Sequence, residues 1–238
     1  MPTVSVNASR EGYIWNGNSN FPVWFDARND PNGSAAFNYS SPTPSQYSVQ
    51  VAYQSGRGGD FYWVTRSYFY WDLSAYAPNI TAIDMNIDMA GLGTPLAIQP
   101  AQSELAFGSN GSSALVVGEF DINIPTPPSP PAYSNAPFSN NAGIVTTTLN
   151  ATAIADANTN GFLIIQLVEY DYDYPDIDPT PFGYQVYEAA INFATGNNTL
   201  DITYTPAGYA NEVIGVAGAS ISEVIGVAGG SIGEIMNT

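Results

Sequence analysis

Residues 80–89, ITAIDMNIDM, set Ile83, Met85, Ile87 and Met89 against Asp84, Asn86 and Asp88 in strict alternation. A period of two is the geometry of a β-strand, whose successive side chains leave opposite faces. An apolar row backed by an acidic one describes a strand with one face buried and the other in water. Segments of related character recur at short spacing: TVSVN, YSVQVAY, IVTTTL, YQVYEAAINFA and TLDITYT. Between them stand clusters such as NGNSN, DARNDPNGS, SSPTPS and SGRGGD, drawn from 22 Gly, 18 Pro and abundant Asn and Ser, which turn the chain. About ten strands at this spacing predict an all-β fold, a jelly-roll-like antiparallel β-sandwich.

The most aromatic segment, FYWVTRSYFYWDL at residues 61–73, puts Arg66, Tyr68, Tyr70 and Asp72 on one face and Ser67, Phe69, Trp71 and Leu73 on the other. Both faces are bulky, so a central strand is expected. Arg66 and Asp72 are roughly 20 Å apart along such a strand and cannot pair, so each needs another partner. For Arg66 the reading is a structural charge tied to carbonyls or a carboxylate, with a ligand-gripping group as the alternative. GFLIIQLVE, residues 161–169, is continuously apolar and reads as a fully buried strand. Further expectations are a short strand at FPVWF and a strand at ALVVGEFDINI with Val116, Phe120, Ile122 and Ile124 inward. The Pro-rich run 125–137 is expected as a polyproline-like surface excursion, and ATAIADA as one or two helical turns.

Composition removes whole classes of chemistry. Cys, His and Lys are absent, so Ser-His-Asp triads, thiolate nucleophiles, ordinary zinc sites, Schiff bases and phosphate-loop lysines are excluded. An enzyme would depend on carboxylates, Tyr and the arginines Arg10, Arg28, Arg57 and Arg66. Glycoside cleavage needs two carboxylates roughly 5–9 Å apart across a cleft, and nothing in the sequence pairs Glu104, Glu119, Glu169 or Glu188; no enzymatic activity is expected. A net charge of −17 repels phosphate backbones, so nucleic acid is not an expected partner. No stretch reaches the ~18 apolar residues of a membrane span, and MPTVSVNAS has neither a basic nor an apolar leader region, so no membrane partner and no cleaved signal are expected.

Residues 169–181, EYDYDYPDIDPTP, gather Asp171, Asp173, Asp176 and Asp178 among Tyr170, Tyr172 and Tyr174. Hard cations take six to eight oxygen ligands from flexible acidic loops, which makes calcium the one candidate cofactor. The other reading is a solvated acidic strand end turned by Pro175 and Pro179. The three tyrosines are candidate ligand-binding residues, since flat aromatic rings stack on sugars; exposed Tyr on a β face is the plainer account.

The chain closes with EVIGVAGASIS, EVIGVAGGSIG and EIMNT, two 11-residue units from Glu212 and Glu223 and a third begun at Glu234. Units this short do not bury an apolar face alone, and about three or more are needed for independent stability. The β-branched clusters favour short strands; an 11-residue helical coil would be weakened by Gly215, Gly218, Gly226, Gly229 and Gly230. Residues 1–207 therefore read as a sandwich body and 208–238 as an assembly tail that needs a partner edge. Its assembly residues are Val213, Ile214, Val216, Ile221, Val224, Ile225, Val227 and Ile232.

RSYFYWDLSAYAPNITAIDMNIDM and AAINFATGNNTLDITYTPAG resemble the strand pair and closing strand of DNRLRE-type, carbohydrate-binding-module-like jelly-roll domains of phage structural and bacterial surface proteins. The likeness runs over most of residues 47–207. The tail resembles terminal V-x-G-V-A tracts of environmental phage virion proteins, which carry Lys where this chain has Glu212, Glu223 and Glu234. These resemblances imply a non-enzymatic virion structural protein, as capsid decoration or a tail or fibre component. Its expected partners are other virion proteins, copies of itself and a host-surface glycan. The alternative is a carbohydrate-binding module of a surface or secreted protein, stabilised by calcium.

Overall fold

The structure, a computed structural model, describes residues 1–17, 23–29, 33–39, 43–56, 59–91, 96–103, 106–120, 130–179, 185–206, 223–224 and 227–228. Its strands are β1 (Thr3–Asn7), β2 (Arg10–Gly17), β3 (Ala35–Tyr39), β4 (Thr43–Gly56), β5 (Gly59–Asp72), β6 (Ile80–Met89) and β7 (Ala97–Gln102). They continue with β8 (Phe138–Ser139), β9 (Gly143–Thr148), β10 (Phe162–Glu169), β11 (Gln185–Phe193) and β12 (Thr199–Tyr204). Two helices, α1 (Trp24–Asn29) and α2 (Ala151–Asn160), stand between them, and a separate hairpin pairs β13 (Glu223–Val224) with β14 (Val227–Ala228). The fold is all-β, a jelly-roll-like antiparallel β-sandwich.

The order β1-β12-β6-β11-β4-β5-β10-β7-β8 turns on strand β5. β4 pairs with its first half and β10 with its second, while β2 runs along its other edge from Trp63 to Tyr70. Both faces of β5 are buried, as the bulky alternation predicts. Phe69, Trp71 and Leu73 join Ile83, Met85, Ile87, Ile165, Leu167, Ile191 and Ile202 in the main core between the layers. Tyr68 and Tyr70 join a second core with Ile14, Trp24, Phe107 and Phe120. The expected alternation of β6 is present, with Ile83, Met85, Ile87 and Met89 buried, and seven of the eight residues of β10 are buried.

Helix α2 runs to ten residues, beyond the one or two turns that composition favours. Asn150 caps it, its side chain accepting from the Thr152 and Ala153 amides at 3.0 and 3.2 Å, and Gly161 ends it at φ 72°, a left-handed conformation suited to glycine.

Three local expectations are corrected. Trp24 and Phe25 of FPVWF open helix α1 instead of a strand: Trp24, Ala27 and Arg28, spaced i, i+3 and i+4, share a buried face, with Asp26 in the first turn and Arg28 in the last. Residues 117–119 form a 3₁₀ turn and Val116 faces solvent, because the Glu119 carboxylate accepts from the Gly108 and Val116 amides and closes the backbone on itself. Phe120 is buried as expected, while Ile122 and Ile124 lie outside the described residues. The described part of the Pro-rich run is not a surface excursion. Tyr133 and Ser134 are buried, Ala132 and Ser134 bridge to Ala101 and Leu149, and the Tyr133 hydroxyl donates to Asp156 at 2.7 Å.

Candidate functional site

Five strands in register present one face across β3, β2, β5, β4 and β11. In one row Gly17, Trp63, Ala52 and Val186 are neighbours, in the next Trp15, Thr65, Gln50 and Glu188, and in a third Phe37, Tyr13 and Ser67. The middle strands carry short side chains, Gly17, Ala52, Thr65 and Ser67, and large rings stand around them. The result is a cleft of about 570 Å³ walled by Tyr13, Trp15, Phe37 and Trp63, with Gln50 and Glu188 on one side. That volume falls within the range of small-ligand sites, roughly 300–1,000 Å³.

Gly17 is required by the two indoles: a β-carbon there would overlap the rings of both Trp63 and Trp15. Tyr13 stacks on Phe37 with ring centroids 4.6 Å apart, and Phe37 is 40% exposed, so an aromatic surface faces solvent. Through Phe193 and Tyr39, stacked at 4.7 Å, the wall runs on into the main core, which holds it rigid.

The polar side of the cleft is a carboxylate–carboxamide pair. Gln50 Nε2 donates to Glu188 Oε2 at 3.3 Å. Burial pushes the Glu188 carboxyl above its ordinary value, and the Gln50 bond opposes that shift. Asn140 Nδ2 donates to the Glu188 backbone carbonyl at 3.3 Å, fixing the strand that carries it. In the same row, the Thr65 hydroxyl is fully buried and has no hydrogen-bond partner among the described residues. The cleft thus sets its rings beside one hydrogen-bonding pair, Gln50 and Glu188.

The acidic cluster at 169–179 does different work. Arg66, fully buried in β5, donates from Nε and Nη2 to the two Asp173 carboxylate oxygens at 2.8 and 2.7 Å. It also donates to the Phe120 and Arg28 carbonyls at 2.9 and 3.1 Å and lies 4.3 Å over the Phe120 ring. The expected reading of Arg66 as a structural charge tied to a carboxylate and carbonyls therefore holds. Arg28 of α1 donates to the Asp173 carbonyl at 2.8 Å and stands 3.4 and 3.5 Å from Asp173 and Asp176 carboxylate oxygens. Asp176 accepts from Trp24 Nε1 and Asp178 from the Tyr62 hydroxyl. Buried Glu169 accepts from the amides of Asp171, Tyr172 and Asp173 at 2.7–3.1 Å, cinching the loop at its root.

Asp171, Asp173, Asp176 and Asp178, the candidate calcium residues, are thus not brought together as one ligand group. Asp173, Asp176 and Asp178 are engaged by guanidinium, indole and phenol donors, Asp171 is exposed, and no metal-ligating group of three or more forms among the described residues. The physical reason is the long-range return of Arg66, 107 positions upstream, whose fork matches a carboxylate. Asp72, the other half of the pair left unmatched by spacing, is exposed and accepts from the Ser74 amide at 3.0 Å, which holds its carboxyl below the ordinary value.

The three candidate tyrosines split. Tyr170 and Tyr174 stack with centroids 6.1 Å apart, whereas Tyr172 turns inward, its ring 4.9 Å and its hydroxyl 3.2 Å from those of Tyr187. Tyr187 alternates with Val186 and Glu188 on β11, so these tyrosines are not part of the cleft. Of the assembly residues, Val224 and Val227 pair with each other in the β13–β14 hairpin; Val213, Ile214, Val216, Ile221, Ile225 and Ile232 lie outside the described residues.

Sequence reasoning missed the cleft. Tyr13, Trp15 and Gly17 alternate on one face of REGYIWNG, and Glu188 is a lone acid in an apolar strand, YEAAINF, which is a usable signal. Which strands bring those faces together is a matter of register, and that is not written in any single segment. No protein-family model and no curated protein matches this chain.

Proposed function

We propose that the chain is a non-enzymatic virion structural protein of a bacteriophage, a capsid decoration or a tail or fibre component, whose β-sandwich body is attached to its particle and to other copies through the C-terminal repeats. The observation that carries this reading is the repeat tract itself: two units of the form EVIGVAG, with Glu223–Val224 and Val227–Ala228 of the second paired as an antiparallel hairpin. A hairpin so short is marginal alone and gains by joining a larger sheet.

Removing residues 208–238 tests it. The full chain is expected to form oligomers, or to enter particles, and the shortened chain to remain a folded monomer by light scattering and circular dichroism. Equal assembly by the two would defeat the proposal.

A second reading is favoured by the cleft: a carbohydrate-binding module, which in a virion would engage a host-surface glycan. Two Trp, a Tyr and a Phe around a Gln–Glu pair offer stacking surfaces beside hydrogen-bonding groups.

A further inference from the structure

Resting on the reading of residues 208–238 as an assembly segment, we propose that its partner is the edge of strand β1: a C-terminal repeat of a second copy adds to β1 as an antiparallel strand. Among the described strands of the sandwich, β1, β3, β8 and β9 each pair with one neighbour. All but β1 are short or occupied. β8 has two residues. Asn38 fastens β3 to Leu115, accepting from its amide at 2.8 Å and donating to its carbonyl at 2.9 Å. β9 has β8 against it, and Ser134 bridges to Leu149 at its end.

The Tyr204 amide donates to the Pro2 carbonyl and the Ala8 amide to the Asn198 carbonyl, which fixes the residues of β1 that bond toward β12. In an antiparallel ladder these alternate, so Val4 and Val6 bond inward while Thr3, Ser5 and Asn7 turn their N–H and C=O groups outward. Those outward groups have no partner among the described residues. TVSVN also has no charge and no proline, and its register with β12 runs unbroken from Thr3 to Asn7, so the devices that guard natural edges are missing from it. Val4 and Val6 stand half-buried against the main core, and an added strand with β-branched side chains extends that core as well as the ladder. The repeats supply such segments, with one Glu per 11-residue unit as the only charge.

Strand direction assigns the donor to another copy. The Tyr204 amide sits on the Pro2 carbonyl, so the chain that follows Pro206 starts from the Thr3 end of β1 and, laid straight back along that strand, would run parallel to it. Every pairing among the described strands is antiparallel, and a second copy is free to approach that way.

The test compares full-length chains. Ser5→Pro removes an outward N–H and puts a ring on the edge, while costing the β1–β12 ladder no backbone bond. Val213→Pro combined with Val224→Pro breaks the same position of both repeats and leaves β1 intact. Circular dichroism checks folding, and Ser5→Lys, which guards the edge by charge, takes the place of Ser5→Pro should the latter not fold. Sedimentation equilibrium is expected to show wild type associating, each variant associating at least about tenfold more weakly, and an equimolar mixture of the two variants forming a heterodimer, because one keeps the donor and the other the acceptor. A Ser5 variant that associates like wild type, beside a tail variant that does not, overturns the β1 edge and leaves the tail reading standing. Two variants that stay apart when mixed also overturn the β1 edge. A folded wild type that remains monomeric, or a tail variant that associates as wild type does, overturns both.

Discussion

Asp173→Ala is expected to lower the unfolding free energy by about 3–5 kcal/mol, the largest single-residue effect in the molecule. The cost comes less from the lost attraction than from what remains behind. Arg66 is fully buried and Arg28 nearly so, and both contact this carboxylate; without it Arg66 loses both of its bonds to Asp173 and Arg28 loses one of the two carboxylates beside it, in a low-dielectric core. Asp173 also sits where α1, the loop bearing Phe120 and strand β5 meet, so its removal loosens three elements at once. Asp173→Asn, nearly equal in volume, is expected to lose most of the same energy because the charge is what the arginines need. Urea unfolding of the three proteins checks this. A loss below about 1 kcal/mol for the alanine variant, the size of a surface pair, would mean that the cluster is not the buried tie described.

Stability should fall as pH rises from 5 to 8, contrary to the behaviour of proteins held by well-solvated carboxylates. Burial pushes the Glu169 carboxyl from 4.5 up to about 7, against the pull of its three amide donors and with some help from the Asp173 charge. A carboxyl whose value is raised on folding holds its proton in the folded state after the unfolded chain has lost it. Its contribution is therefore complete below pH 4.5 and disappears as pH climbs through about 7. Each pH unit between the unfolded and folded values is worth about 1.4 kcal/mol, so the change across this window is about 3 kcal/mol. Glu11 and Glu188, both raised by burial, act in the same direction. Denaturant unfolding at pH 5, 6, 7 and 8 should show the decline, and Glu169→Gln, which cannot titrate, should show a flatter one. Identical slopes in the two proteins would remove Glu169 as the cause.

The strands were legible wherever one segment carries its own pattern. The alternation of β6, the double-faced β5 and the unbroken β10 each announce their burial, and a scarce arginine on a two-faced strand announces a need for a partner. What could not be read is the identity of partners distant in sequence. Asp171, Asp173, Asp176 and Asp178 look alike along the chain, and a calcium loop and an arginine-bound plug have the same composition; the difference is made by Arg28 and Arg66, brought in by α1 and β5. VWF has strong β-propensity, yet Trp24 serves a helix because i, i+3, i+4 burial against the second core outweighs local preference. The cleft shows the same limit in another form. Its rings come from strands β2, β3 and β5 and its carboxylate from β11, and they meet because Trp15 stands opposite Thr65, Thr65 opposite Gln50, and Gln50 opposite Glu188. A register shift of one residue would send every one of them to the other face.

The aromatic surface of this protein includes two separate groups of rings, one around Trp63 in the cleft and one formed by Tyr170 and Tyr174 on the acidic loop, and the carbohydrate reading proposed above places binding at the first. The most direct test of that reading is a glycan-array screen of the full chain followed by the affinity of the best wild-type oligosaccharide for Trp63→Ala and for Tyr170→Ala, each checked for folding by circular dichroism; a folded wild type that binds no saccharide contradicts it outright. Loss of a stacking ring is expected to weaken binding about tenfold or more in Trp63→Ala and to leave Tyr170→Ala within about twofold of wild type. Binding lost with Tyr170 and kept without Trp63 would contradict the assignment and return the site to the acidic loop.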